Sequence, residues 1–144
     1  PYAWAAWHTT STFLGEVGSP GHDAGDRKGD HPKLPCVYGV DCSGLAARCW
    51  GLTGSDADKP NDEMLRANWS YQRSGYLFSD VYLMDALIKN GWHVILYDFE
   101  VDGEFVCFEA TTNNSYDSVR HTTREPDLLW GDGYRAWRFL YYRM

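Results

Sequence analysis

A change of texture after Tyr76 constrains this chain most: helix and loop residues give way to a succession of apolar strands. Before that point, Ser11 to Val17 reads as a short helix. Cys42 to Trp50, stopped by Gly51, reads as a second, and Asp62 to Ala67, following Pro60, as a third. After it, Ala86-Leu87-Ile88, Trp92 to Phe99, Phe105 to Thr111, Ser118 to Thr123 and Tyr134 to Tyr142 read as strands. Helices first and an antiparallel sheet second predict an α+β fold, a small sheet with a helix packed on its face. The 144 residues suffice for one domain with its own core, so residues 1–144 are read as a single domain.

Composition removes several function classes. A net charge of −7 argues against nucleic acid, because phosphate binding needs a surplus of Lys and Arg on one face. No apolar run is long enough for a membrane span, and no stretch reads as a signal peptide. The opening Pro1-Tyr2-Ala3-Trp4 fits a chain from which a leader or a preceding domain has been removed. An aromatic share of 16% serves either a core of large rings or a groove for sugar or peptide. Gly18 to Lys33 reads as a long exposed loop. Its Asp23, Asp26 and Asp30, with His22 and His31, carry metal-binding side chains, but their spacing fits no calcium loop. Cys36, Cys42, Cys49 and Cys107 show no zinc spacing, and if one works as a thiolate, at most one internal disulfide can form beside it.

Asp41 is a good helix N-cap, which puts Cys42 in the first turn. Unpaired backbone N–H groups and the helix dipole there favour a thiolate, the reactive form of the side chain. The competing role is a small buried hydrophobe on a core helix. Leu45, Ala46, Cys49 and Trp50 form the expected buried stripe, and Gly44 leaves room for a substrate backbone.

A nucleophile needs a base and a group to hold that base. His93 opens the apolar run Val94-Ile95-Leu96-Tyr97, at a strand end from which a side chain reaches a cleft. Val101-Asp102-Gly103 reads as a three-residue hairpin loop, which pairs Ile95 with Glu109 and puts Glu109 on the His93 face. A two-residue turn at Asp102-Gly103 would turn Glu109 away. A carboxylate on the apolar strand Phe105 to Ala110 is costly without a partner, and an imidazole would supply one. His121, on the following strand, is the competing third member.

These residues meet a known pattern. Tyr38-Gly39-Val40-Asp41-Cys42-Ser43-Gly44-Leu45 closely resembles the Asp-Cys-Ser-Gly nucleophile signature of the NlpC/P60 papain-like cysteine hydrolases. His93-Val94-Ile95-Leu96-Tyr97 resembles the family's His-Val-Gly-Ile-Tyr strand. Phe108-Glu109-Ala110 falls where the family places its third polar residue, usually His, Asn or Gln. Pro1-Tyr2-Ala3-Trp4 resembles its Tyr-x-Trp-Gly-Gly segment, with Ala5 and Ala6 in place of the paired glycines. Met84-Asp85-Ala86-Leu87 stands where Gly-Asp-Leu-Val is usual.

The resemblance implies an NlpC/P60 fold with the nucleophile helix packed on a small antiparallel sheet. It implies amide hydrolysis through a Cys42 thioester, with His93 as base and acid, Glu109 orienting the imidazole, and no metal or organic cofactor. Asp41 and Ser43 would bind the free amine of a stem peptide, and Tyr2 would offer a cleft hydroxyl. The usual family substrate is bacterial peptidoglycan, cut between D-γ-glutamyl and a diamino acid, which implies a secreted or cell-envelope setting. Two other roles stay open: an amidase or acyltransferase on another amide or ester, and an inactive module that binds wall peptide.

Overall fold

A computed structural model describes residues 2–3, 6–25, 37–113 and 116–140. The chain divides into two compact units, Pro1–Lys59 with Ala110–Arg120, and Pro60–Glu109 with His121–Met144.

In the first unit, Thr9 caps α1 (Thr10–Glu16) by accepting the Thr12 N–H at 3.1 Å. Two short strands, β1 (Asp23–Ala24) and β2 (Val37–Tyr38), pair in parallel. Asp26, Asp30, His31 and Cys36 lie outside the described residues, as do Trp4 and Ala5. Helix α2 (Cys42–Cys49) begins as expected at Asp41, whose Oδ1 accepts the Gly44 N–H at 2.7 Å.

The N-terminal segment is laced to the stretch that leads into α2. Ala3 N–H donates to the Val40 carbonyl at 3.1 Å, and Asp41 N–H donates to the Ala6 carbonyl at 2.9 Å. Trp7 is fully buried, and the Arg48 guanidinium stacks 4.1 Å from its ring centre. A Cβ on Gly44 would stand 2.2 Å from the Ala6 oxygen. The backbone that needs the space at Gly44 is therefore the protein's own, not a substrate's. This packing also changes the expected stripe: Ser43, Gly44, Ala46, Ala47 and Trp50 are buried, whereas Leu45 is half-buried and Cys49 exposed. Small residues face inward because the N-terminal backbone runs so close to the helix.

In the second unit, Asn61 caps α3 (Asp62–Met64), which widens into a π-turn at Leu65–Trp69. The six-stranded sheet, of which residues 110–113 and 116–120 are counted with the first unit, comprises β3 (Ser70–Gln72), β4 (Ala86–Lys89), β5 (His93–Val101), β6 (Glu104–Asn113), β7 (Tyr116–Arg124) and β8 (Arg135–Phe139). Its order is β3-β8-β4-β5-β6-β7, with antiparallel pairing at each registered step. An α+β fold is what the texture of the sequence predicts. Strand β3 and α4 (Pro126–Gly131) are additions to the expected elements. Leu87, Ile95, Tyr97 and Cys107 share a buried face with Phe78 and Leu129 packed against them. Among the described residues no helix is long and apolar enough to cross a membrane.

The β5–β6 hairpin departs from the expected loop in two ways that cancel. Val101 pairs with Glu104, so the turn is the two-residue Asp102-Gly103, with φ of 52° and 82°. That turn alone would move Glu109 to the opposite face. A bulge between Tyr97 and Phe99 adds Asp98 to β5 and restores the pairing of Ile95 with Glu109.

The Gly44 contact gives a direct test. Gly44→Ala should lower unfolding free energy by about 1–3 kcal/mol, the usual cost of overpacking. Urea denaturation measures it, and a loss below about 0.5 kcal/mol, the range of neutral surface changes, would contradict the close approach.

Candidate functional site

The expected site residues fall in two groups, one in each unit. Tyr2, Asp41, Cys42 and Ser43 belong to the first, and His93 and Glu109 to the second.

Cys42 is the first residue of α2 and is partly exposed. Both its neighbours are buried and polar, Asp41 at 5% and Ser43 at 5% exposure. Their interactions are built inside the protein. Asp41 Oδ1 accepts the Gly44 N–H and the Ser43 hydroxyl, the latter at 3.2 Å. The Lys59 ammonium lies 2.8 Å from Asp41 Oδ2 and donates to Ser43 Oγ at 2.8 Å. Lys59 is a residue that sequence reasoning missed; a basic residue ten positions beyond the helix gives no local signal. Tyr2 is buried on the segment that bridges to Val40. Leu45 and Cys49, one and two turns beyond Cys42, line a cleft of about 520 Å³ together with Phe13, Val40 and His8.

In the second unit, His93 begins β5 and Glu109 lies near the middle of β6. Because Ile95 pairs with Glu109, His93 and Glu109 share a face of the sheet as diagonal neighbours. Glu109 Oε1 stands 3.3 Å from His93 Nε2. Its other oxygen, Oε2, accepts two hydrogen bonds from Arg124 on β7, from Nε at 3.1 Å and from Nη2. Glu109 is 3% exposed. Burial pushes its carboxyl pKa up, but the His93 imidazole, close by though outside hydrogen-bond geometry, and the hydrogen-bonded Arg124 together outweigh that and hold it below the ordinary value.

Arg124 is the second residue that sequence reasoning missed. A buried carboxylate signals the need for a partner, and here it has two. The contact turns the Nε2 edge of the imidazole toward the carboxylate.

His121 is held elsewhere. Its Nε2 lies 2.9 Å from Asp98 Oδ2, and its ring stacks on Phe108 at 4.4 Å. Phe108 and Glu109 are adjacent on β6 and point to opposite faces, so His121 is on the face away from His93.

Cys42, Cys49 and Cys107 are free thiols. Cys107 is buried, and burial first and the negative Glu109 second push its pKa up to about 12, so it stays a protonated core residue. Met84 takes a φ of 67° where the resembling family usually has glycine, and its N–H donates to the Tyr97 carbonyl at 2.8 Å. Next to it, Asp85 is buried and doubly paired with Arg138 at 2.9 and 2.7 Å, which ties β4 to β8. Among the described residues no group of three or more His, Cys, Asp or Glu is arranged to hold a metal ion.

No family model matches the chain, and no curated protein or solved structure matches it either. The likeness to NlpC/P60 hydrolases therefore rests on the motif residues themselves.

The Glu109 environment sets a pH dependence. Its contribution to stability is complete above the unfolded carboxyl pKa of about 4.3 and is lost as pH falls through the lower folded value. Glu109→Gln should therefore flatten the acid limb of a stability-against-pH curve below about pH 4.3. Chemical denaturation at a series of pH values reads this, and an unchanged acid slope would show that the carboxylate is not held by His93 and Arg124.

Proposed function

We propose that this chain is a cysteine hydrolase of the NlpC/P60 type that cleaves an amide bond of peptidoglycan stem peptides, at the D-γ-glutamyl–diamino acid linkage. The observation that supports it most is the buried Glu109 carboxylate 3.3 Å from His93 Nε2. A strand-end imidazole backed by a buried carboxylate is what a thiol nucleophile requires of its base. Cys42 at the start of a capped helix gives independent support.

In this reading the Cys42 sulfur attacks the scissile carbonyl carbon, and the Cys42 backbone N–H helps hold the negative oxygen. His93 takes the thiol proton and delivers it to the leaving amine, so the C–N bond breaks and a thioester remains. Water, deprotonated by His93, attacks that thioester; the acid leaves, and the thiol recovers its proton. Glu109 fixes the imidazole tautomer and stabilises its charged form, while Arg124 anchors the far oxygen of the carboxylate. Asp41 and Ser43 flank the nucleophile with Lys59 bound between them, and the buried Tyr2 packs in the segment beside them. None of these steps needs a metal or organic cofactor. A wall substrate places the working protein outside the cell or at its envelope.

Digestion of purified muropeptides, with fragments identified by mass, tests the substrate. Cleavage at the D-γ-glutamyl bond is expected, abolished by Cys42→Ala with a loss of at least about a thousandfold. Turnover retained in Cys42→Ala would sink the mechanism, and cleavage at another amide would move the protein to a different amidase class. Arg124→Met should fold and lose activity by about tenfold, less than Glu109→Ala, because it loosens the orienting carboxylate without removing it.

A further inference from the structure

The two polar residues that flank Cys42 already hold an ammonium, and it is the protein's own. Lys59 Nζ is 2.8 Å from Asp41 Oδ2 and 2.8 Å from Ser43 Oγ, with its side chain only 10% exposed. The Ser43 hydroxyl has one proton, which it gives to Asp41 Oδ1, so it meets Lys59 as an acceptor. Asp41 Oδ1 also takes the Gly44 N–H, so the carboxylate meets Gly44 and Ser43 on one oxygen and Lys59 on the other.

Local structure carries Lys59 to this seat. Ser55 and Asp58 close a capping box around the turn Asp56–Asp58, with Asp58 Oδ2 accepting the Ser55 N–H at 2.9 Å and its hydroxyl at 2.7 Å. Trp7 Nε1 donates to the Ser55 carbonyl at 3.0 Å and pins that turn to the buried N-terminal segment. Lys59 follows directly, so its aliphatic stem is directed toward Asp41 rather than left to search.

We infer that Lys59 is a specificity-determining residue: it fills the ammonium seat beside Cys42 and directs the chain to substrates whose acyl portion carries no free amine there. On the wall-peptide reading, on which this inference rests, the preferred substrate is a stem peptide whose N-terminus is acylated, as in an intact glycan-linked strand. A released peptide with a free amine is the poor substrate. A second ammonium at this seat would have to expel a nearly buried one or share one carboxylate with it, and like charges at that range repel strongly.

Two probes differing in one group test this: L-alanyl-γ-D-glutamyl-L-lysine and its form acetylated on the alanine nitrogen. Wild-type protein should cleave the acetylated tripeptide with a kcat/KM at least about tenfold higher. Lys59→Met should narrow or reverse that ratio, because it frees Asp41 for the substrate ammonium, while Lys59→Arg should keep it. A lost Lys59 leaves a buried carboxylate uncompensated, so the fold of Lys59→Met is first verified by circular dichroism. Where that variant unfolds, Lys59→Met combined with Asp41→Asn replaces it, and the ratio should fall to near one.

The same two peptides titrated by NMR into the Cys42→Ala chain separate this inference from the catalytic reading, since binding needs no turnover. Tighter binding of the acetylated form supports the inference even if neither peptide is cleaved, a result that would count against the hydrolase reading alone. Equal affinities, tighter binding of the free amine with Lys59 intact, or no binding of the acetylated form would each overturn it.

Discussion

A carboxylate buried on an otherwise apolar strand is the constraint around which the second unit is organised. Glu109 lies on a strand segment with Val106, Cys107 and Ala110, and its charge has to be met by protein groups rather than water. His93 on β5 meets one oxygen and Arg124 on β7 meets the other. The three residues link three adjacent strands, so the register of each strand is fixed by the same group that would orient a catalytic imidazole. The combined pull is strong enough to keep the acid ionised despite its burial. Sharing the carboxylate also tempers it: an arginine on Oε2 leaves Glu109 less negative toward His93 than an isolated glutamate would be.

The order of elements was legible in the sequence because it is written in local terms. Asp41 announces α2, apolar runs announce β5 and β6, and the break at Gly51 ends the helix where expected. The hairpin shows where such reading runs out. A three-residue loop predicts the correct face for Glu109, yet the protein reaches it through a tighter turn and a bulge at Asp98. Turn length alone determines parity only when the strands are regular, and a bulge leaves almost no mark in sequence. Asp98 is then paired with His121, which explains why the competing histidine is held on the opposite face.

Arg124 and Lys59 escaped sequence reasoning for a different reason. Each completes a polar cluster from a distant point in the chain, and long-range pairing has no periodicity to follow. The departures from the resembling motifs are now interpretable. Met84 accepts a left-handed backbone that glycine would take without strain, which costs about 1–2 kcal/mol and is offset by the surrounding β4–β5 hydrogen bonds. At Gly44 the Ala6 carbonyl leaves no room for a side chain. The Asp41–Ser43 pair matches the resembling motif, but holds a lysine of this chain.

The central claim is that Cys42 and His93 act as one nucleophile–base unit. The rate at which iodoacetamide alkylates Cys42 at neutral pH, followed by mass in wild-type and His93→Ala protein, tests it most directly. The account predicts stoichiometric labelling of Cys42 ahead of Cys49 and Cys107, slowed by at least about tenfold when the imidazole is removed. Equal rates in the two proteins, or preferential labelling of Cys49, would contradict it.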